Sequence, residues 1–101
     1  MTQDPEVLIG AILHDPSLLA MRPAVGASCA ILPDGLLRRL WLKTHTHLKA
    51  HGLVDPIVLT ILMGDDEEFT MAGGIRYLND LIAIYQDAGW NPYEPPEGVA
   101  A

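Results

Sequence analysis

His47 and His51 stand four residues apart in a segment rich in helix formers, a spacing at which two imidazoles can share a metal ion. The residues between them are Leu48, Lys49 and Ala50, so the glutamate base of a zincin helix is missing. A third ligand would have to come from Asp55 or His45, and His45 points to a different helix face. The pair therefore reads as surface or interface polarity, with no metal site expected. Asp65, Asp66, Glu67 and Glu68 form a contiguous acidic run. Calcium loops alternate their oxygen ligands around a glycine and end on a distal glutamate, which this run does not do. Ser17 and Ser28 have no neighbouring base with an orienting third group. Cys29 lies among small apolar residues with no cation nearby to stabilise a thiolate. No P-loop of the form Gly-x4-Gly-Lys-Ser/Thr occurs, which excludes that route to NTP hydrolysis. No enzyme and no cofactor are expected.

The composition narrows the remaining classes. A chain of 101 residues fits one domain, hiding roughly 60–70% of its unfolded surface. Half of the residues are apolar and 19% are charged, which describes a folded chain with apolar surface to spare for a partner. The formal charge of −7 argues against direct nucleic-acid binding, where phosphate neutralisation supplies most of the affinity. A single cysteine fits a reducing compartment. No apolar run approaches the ~18 residues of a membrane span, and the N-terminus lacks a basic leader. A cytoplasmic protein with no membrane partner is the expectation.

The pattern of apolar residues is helical throughout and predicts an all-α bundle of about five helices. Asp4-Pro5 opens the first, with Val7, Leu8, Ala11 and Ile12 on one face. Asp15-Pro16 opens a short turn carrying Leu18, Leu19 and Met21, and Arg22 to Ile31 reads as an irregular connection. The longest helix runs from about residue 34 to 50 and closes at Gly52. Its inner stripe is Leu37, Leu40, Trp41, Thr44 and Leu48, with Arg38, Arg39, Lys43 and Lys49 off that stripe. Asp55-Pro56 starts a fourth helix, and the acidic run follows as a loop. A fifth helix spans about residues 74 to 88, with an apolar arc wide enough to face both the core and a partner. Residues 1–89 thus form the helical domain. Residues 90–101, with three prolines and no periodicity, form an extended, mobile tail.

In order, these landmarks resemble the N-terminal head domain of DnaB-type replicative helicases. They are E-V-L-I-G-A-I-L-H-D-P (Glu6 to Pro16), a Leu/Trp helix ending H-L-K-A-H-G, V-D-P-I-V-L-T (Val54 to Thr60), and A-G-G-I-R-Y-L-N-D-L (Ala72 to Leu81). The resemblance covers about residues 6 to 85 and extends to the helicase-binding domain of bacterial primase. It implies a non-enzymatic replication module that self-associates as a dimer or higher oligomer and docks helicase, primase or loader. The family's helical hairpin and RecA-like ATPase are missing after Gly89, which points to a stand-alone relative more than an excised head. Residues Arg22 to Leu32 also depart from the family's pattern.

The residues expected to meet partners are Arg38, Arg39, Leu42 and Lys43 on the long helix, Leu81 and Ile84 on the fifth, and Trp90 beyond it. The acidic run reads as a solvated loop, with a meeting of basic helix and acidic run across a contact between two copies as the alternative. Packing of Trp90 on the end of the fifth helix is the other reading of that residue. Two rivals remain: a DNA-binding regulator reading through the basic helix, and a small phage or mobile-element inhibitor.

Overall fold

Three aspartate–proline steps are written into the chain, and they fold in three ways. Asp55-Pro56 works as a full helix start: Asp55 accepts a hydrogen bond from the Val58 N–H at 2.9 Å. Pro56 fills the first helical position, where no N–H is needed. Asp4-Pro5 contributes the proline without a side-chain cap. Asp15 turns back on Ser17, whose N–H and hydroxyl both donate to Oδ1 at 3.1 and 2.6 Å, and the next helix opens at Leu18.

The structure, a computed structural model, describes residues 4–93. Their regular elements are all helical: α1 (Pro5–His14), α2 (Leu18–Met21), α3 (Pro23–Ala30), α4 (Leu36–His51), α5 (Pro56–Leu62), α6 (Glu67–Ala72) and α7 (Ile75–Asp87). The all-α bundle matches expectation, with seven helices in place of about five. The two additional ones have separate causes. α3 is built of Ala, Gly and Ser around a single buried pair, Val25 and Cys29. Small residues hide the 3.6-residue pattern that would have announced a helix. α6 forms because Asp66 caps it, accepting from the Phe69 N–H at 3.1 Å. Glu67 and Glu68 fall in the first turn, where the helix dipole favours negative charge. The acidic run is thus a helix start and not a loop.

α1 is the central element, buried continuously from Val7 to Leu13. Its most extensive pairing is with α7. The two approach closely enough that a Cβ built on Gly10 would lie 2.1 Å from the Leu81 carbonyl oxygen and 2.9 Å from Tyr85 Cβ. Only glycine permits that spacing. Around this crossing the core gathers Leu8, Ile12, Leu40, Leu59, Phe69 and Leu78, each buried, and each worth about 1.5–3 kcal/mol relative to exposure.

α4 turns Leu36, Leu40, Trp41 and Thr44 inward, while Leu37 and Leu48 are half-buried. The Thr44 hydroxyl donates to the Leu40 carbonyl at 2.7 Å, satisfying the one buried polar side chain among the described residues. Gly52 closes the helix at φ 79°, with its N–H on the Leu48 carbonyl. At the other end of the chain, Gly73 and Gly74 have φ of 125° and 61°. These left-handed conformations let the chain pass from α6 into α7 in two residues.

Candidate interaction surface

The outer faces of α4 carry most of the chain's cations, and the structure separates their roles. Arg39 donates from Nε to Asp66 Oδ2 at 2.7 Å, and from one terminal nitrogen to Asp66 Oδ1 at 3.2 Å and Glu68 Oε1 at 2.7 Å. Basic helix and acidic run therefore meet within one chain, through Arg39, Asp66 and Glu68. Burial of Phe69, whose N–H Asp66 caps, holds that carboxylate against α4. Arg39 beside it keeps the Asp66 carboxyl below its ordinary range, helped by the Phe69 N–H. Arg38 donates to the Leu32 carbonyl and lies 3.8 Å from Asp34. Lys43 and Lys49 are exposed and make no ion pair among the described residues. Leu42 is 49% exposed beside them.

On α7 the expected partner residues divide. Leu81 is fully buried at the Gly10 crossing, so it belongs to the core and presents nothing to a partner. The wide apolar arc is one deep face with two open edges, Ile75 and Ile84, each 39% exposed. Trp90 is half-buried and packs edge-on against Tyr85, with ring centroids 6.5 Å apart. This favours packing over an exposed anchor. Just beyond it the Tyr93 hydroxyl donates to Asp15 Oδ2. Hydrogen bonds from Ser17 and then Tyr93 lower the Asp15 carboxyl, and the same carboxylate raises the Tyr93 hydroxyl to about 12. Residues 94–101 of the expected mobile tail lie outside the described residues.

An exposed apolar feature lies elsewhere, on α5 and its approach. Leu53, Ile57 and Ile61 are 64%, 64% and 74% exposed, while Leu59 and Met63 are buried. Two i, i+4 pairs point in opposite directions from one short helix, so α5 is apolar on both its inner and outer sides. In the sequence, Ile57, Leu59, Ile61 and Leu62 stand together as the apolar residues of the fourth helix. Placing Ile57 and Ile61 on a helical wheel opposite Leu59 and Met63 was the signal that could have separated them.

A second apolar feature is a groove between α3 and α4, with a volume of about 510 Å³, lined by Leu19, Gly26, Ala27, Trp41, Leu42 and His45 among others. The His45 ring stacks on Trp41 with centroids 4.9 Å apart, away from the His47–His51 pair, whose rings are 4.4 Å apart. Among the described residues no group of three His, Cys, Asp or Glu gathers to hold a metal ion, and no helix is long and apolar enough to cross a membrane. Cys29 is buried, which pushes its thiol up to about 12 and leaves it protonated. The Ser28 hydroxyl is turned back on the Ala24 carbonyl and Ser17 on Asp15, so neither is poised as a nucleophile. Comparison with protein-family models, with curated proteins and with solved structures gave no match for this chain.

Proposed function

We propose that this chain is a non-enzymatic protein-interaction module of DNA replication, which self-associates and docks a replicative helicase, primase or loader. The observation that carries the interaction reading is the outward apolar row Leu53, Ile57 and Ile61. Three large aliphatic side chains left mostly in water on a folded domain are a standing gain for any partner that covers them. The replication reading rests on the resemblance of the four sequence landmarks to helicase heads. In the fold, those landmarks stand at joints of the bundle. Gly10 of the first sits at the α1–α7 crossing, Asp55-Pro56 of the third caps α5, and Gly73-Gly74 of the fourth opens α7.

The DNA-binding rival loses ground because Arg39, one of the four cations on α4, is already held by Asp66 and Glu68. Molar mass in solution, measured by light scattering, together with pull-downs using purified helicase and primase, tests the proposal. The expected outcome is a dimer or larger species that captures at least one of the two. A strict monomer that captures neither overturns it.

A further inference from the structure

The charges of this chain are sorted along its length. Five of the six cations and one of the thirteen carboxylates fall between residues 16 and 54, a formal +4, while the remaining residues carry −11. The positive stretch comprises α2, α3 and α4, the elements that form the groove over Trp41. None of these three helices contains a carboxylate. Asp34, in the connection before α4, is the one exception nearby, and it lies beside Arg38.

The groove itself is apolar. Trp41 forms its floor, 5% exposed, and Leu42 stands on its rim, 49% exposed. Beyond Pro23 at its start, the α3 wall presents only the small residues Gly26, Ala27 and Ala30. Eight residues of α3 span about 12 Å, or two helical turns. That length accommodates a helix laid alongside, with anchors at i, i+3 or i+4, and i+7. On α4, Arg38 lies one turn before Trp41 and Leu42, and Lys49 one turn after His45, on the same flank. A cation therefore stands at each end of an apolar trough, on a flank of α4 distinct from the one that Arg39 commits to α6. Arg38 donates to the Leu32 carbonyl and pairs at 3.8 Å with Asp34, a fully exposed carboxylate that a partner's can replace, while Lys49 makes no ion pair among the described residues.

We propose that the α3–α4 groove docks an acidic amphipathic helix of a partner protein. Apolar side chains of that helix seat on Trp41 and Leu42, and its carboxylates meet Arg38 and Lys49. Two cations roughly 16 Å apart along a helix with an apolar floor between them suit this occupant better than a nucleic acid. Phosphate recognition draws on many cations, and its affinity falls steeply with salt. The inference rests on the interaction-module reading but uses a different surface from the α5 row.

The test uses the whole protein, labelled with 15N, and two synthetic 16-residue amphipathic helices. Both have leucine at i, i+3, i+4 and i+7, one with glutamate at the remaining positions and the other with lysine. Amide shifts concentrated at Gly26, Ala27, Ala30, Leu42 and His45, saturating in the micromolar range with the glutamate peptide only, are expected. The double variant Leu42→Glu/Lys49→Glu, both positions being exposed, weakens that binding at least tenfold while its melting temperature stays near wild type. Ile57→Gln/Ile61→Gln leaves peptide binding intact and acts only on self-association. A failure of the groove and a failure of the module reading are thereby separated. Several outcomes overturn the proposal. They are no localised shifts at 1 mM peptide, equal binding of the lysine peptide, or tighter binding of duplex DNA at the same amides in 150 mM salt. Concentration-dependent shifts at those amides without peptide assign the groove to a second copy and also overturn it.

Discussion

Gly10 and Gly26 each sit inside a helix of small and apolar residues, and their surroundings could hardly differ more. At Gly10 a single added methyl group would meet the Leu81 backbone at 2.1 Å. At Gly26 it would meet only the Leu19 Cδ2 at 3.3 Å and the Trp41 ring at 3.6 Å. The first glycine lets two helices touch through their backbones, and the second lies along an open groove. The same residue type thus marks the tightest packing of the domain in one place and spare room in another. What decides between them is whether the facing element presents rigid backbone or the end of a flexible side chain.

The comparison can be broken most directly at Gly10. Gly10→Ala is expected to cost about 3 kcal/mol or more, lowering Tm by about 12 °C or more on the scale of a domain this size. A melting curve within 3 °C of wild type would show that α1 and α7 have room to spare. A smaller loss is expected for Trp90→Ala, about 2 kcal/mol, because half of that ring packs on Tyr85 and the core. Chemical denaturation would read it, and an unchanged midpoint would detach Trp90 from the bundle.

Arg39→Gln is expected to lower Tm less again, since its side chain is 42% exposed and one of its two partners, Glu68, is 62% exposed. The sign with pH follows from Asp66, whose carboxyl is held below its ordinary value by Arg39. Its contribution is present above the ordinary carboxylate pKa of about 3.9 and is lost as pH falls through the depressed folded value. The wild-type advantage over Arg39→Gln should therefore shrink in acid and in high salt. An advantage that persisted at pH 2 would assign the effect to packing of the Arg39 stem.

Gly26→Ala is expected to fall between no change and a gain of about 1 kcal/mol, since helix propensity favours alanine and the Leu19 methyl can rotate away. A loss of stability there would make the two glycines alike. Smallest of all on stability is Ile57→Gln/Ile61→Gln, with each change within about 0.5 kcal/mol. Their predicted effect is on molar mass in solution, and unchanged self-association would remove α5 from the interface.

The helices that declared themselves in the sequence were those with large side chains at helical spacing between clear stops. α4 is the best case: Leu40, Trp41 and Thr44 turn inward and Gly52 caps it. α3 was illegible because Val25 and Cys29 alone anchor it, and a run of alanine, glycine and serine has no contrast to read. α6 was hidden by its charge. Four consecutive carboxylates look like a solvated loop unless Asp66 is seen as the cap of a turn that buries Phe69.

The interaction surface was legible in part. Leu42, Lys43 and Ile84 are on the outside as expected, whereas Leu81 is not. An apolar arc on one helix does not reveal which of its residues another helix covers. That information is held by Gly10, 71 positions earlier in the chain.

That distance has a consequence for how the protein is made. α1 is apolar along nearly its whole length, yet the helix that covers it most extensively is synthesised last among the described elements. At about 5–20 residues per second, the ribosome needs roughly 4–14 seconds to travel from Gly10 to Leu81. Until α7 follows, the emerging chain carries a greasy helix that α2, α3 and α4 cover only in part, open to chaperones and to its neighbours on the same message. Completion of α7 is the event that closes the domain, so arrest of translation before Gly74 should leave a nascent chain that is sticky and sensitive to protease.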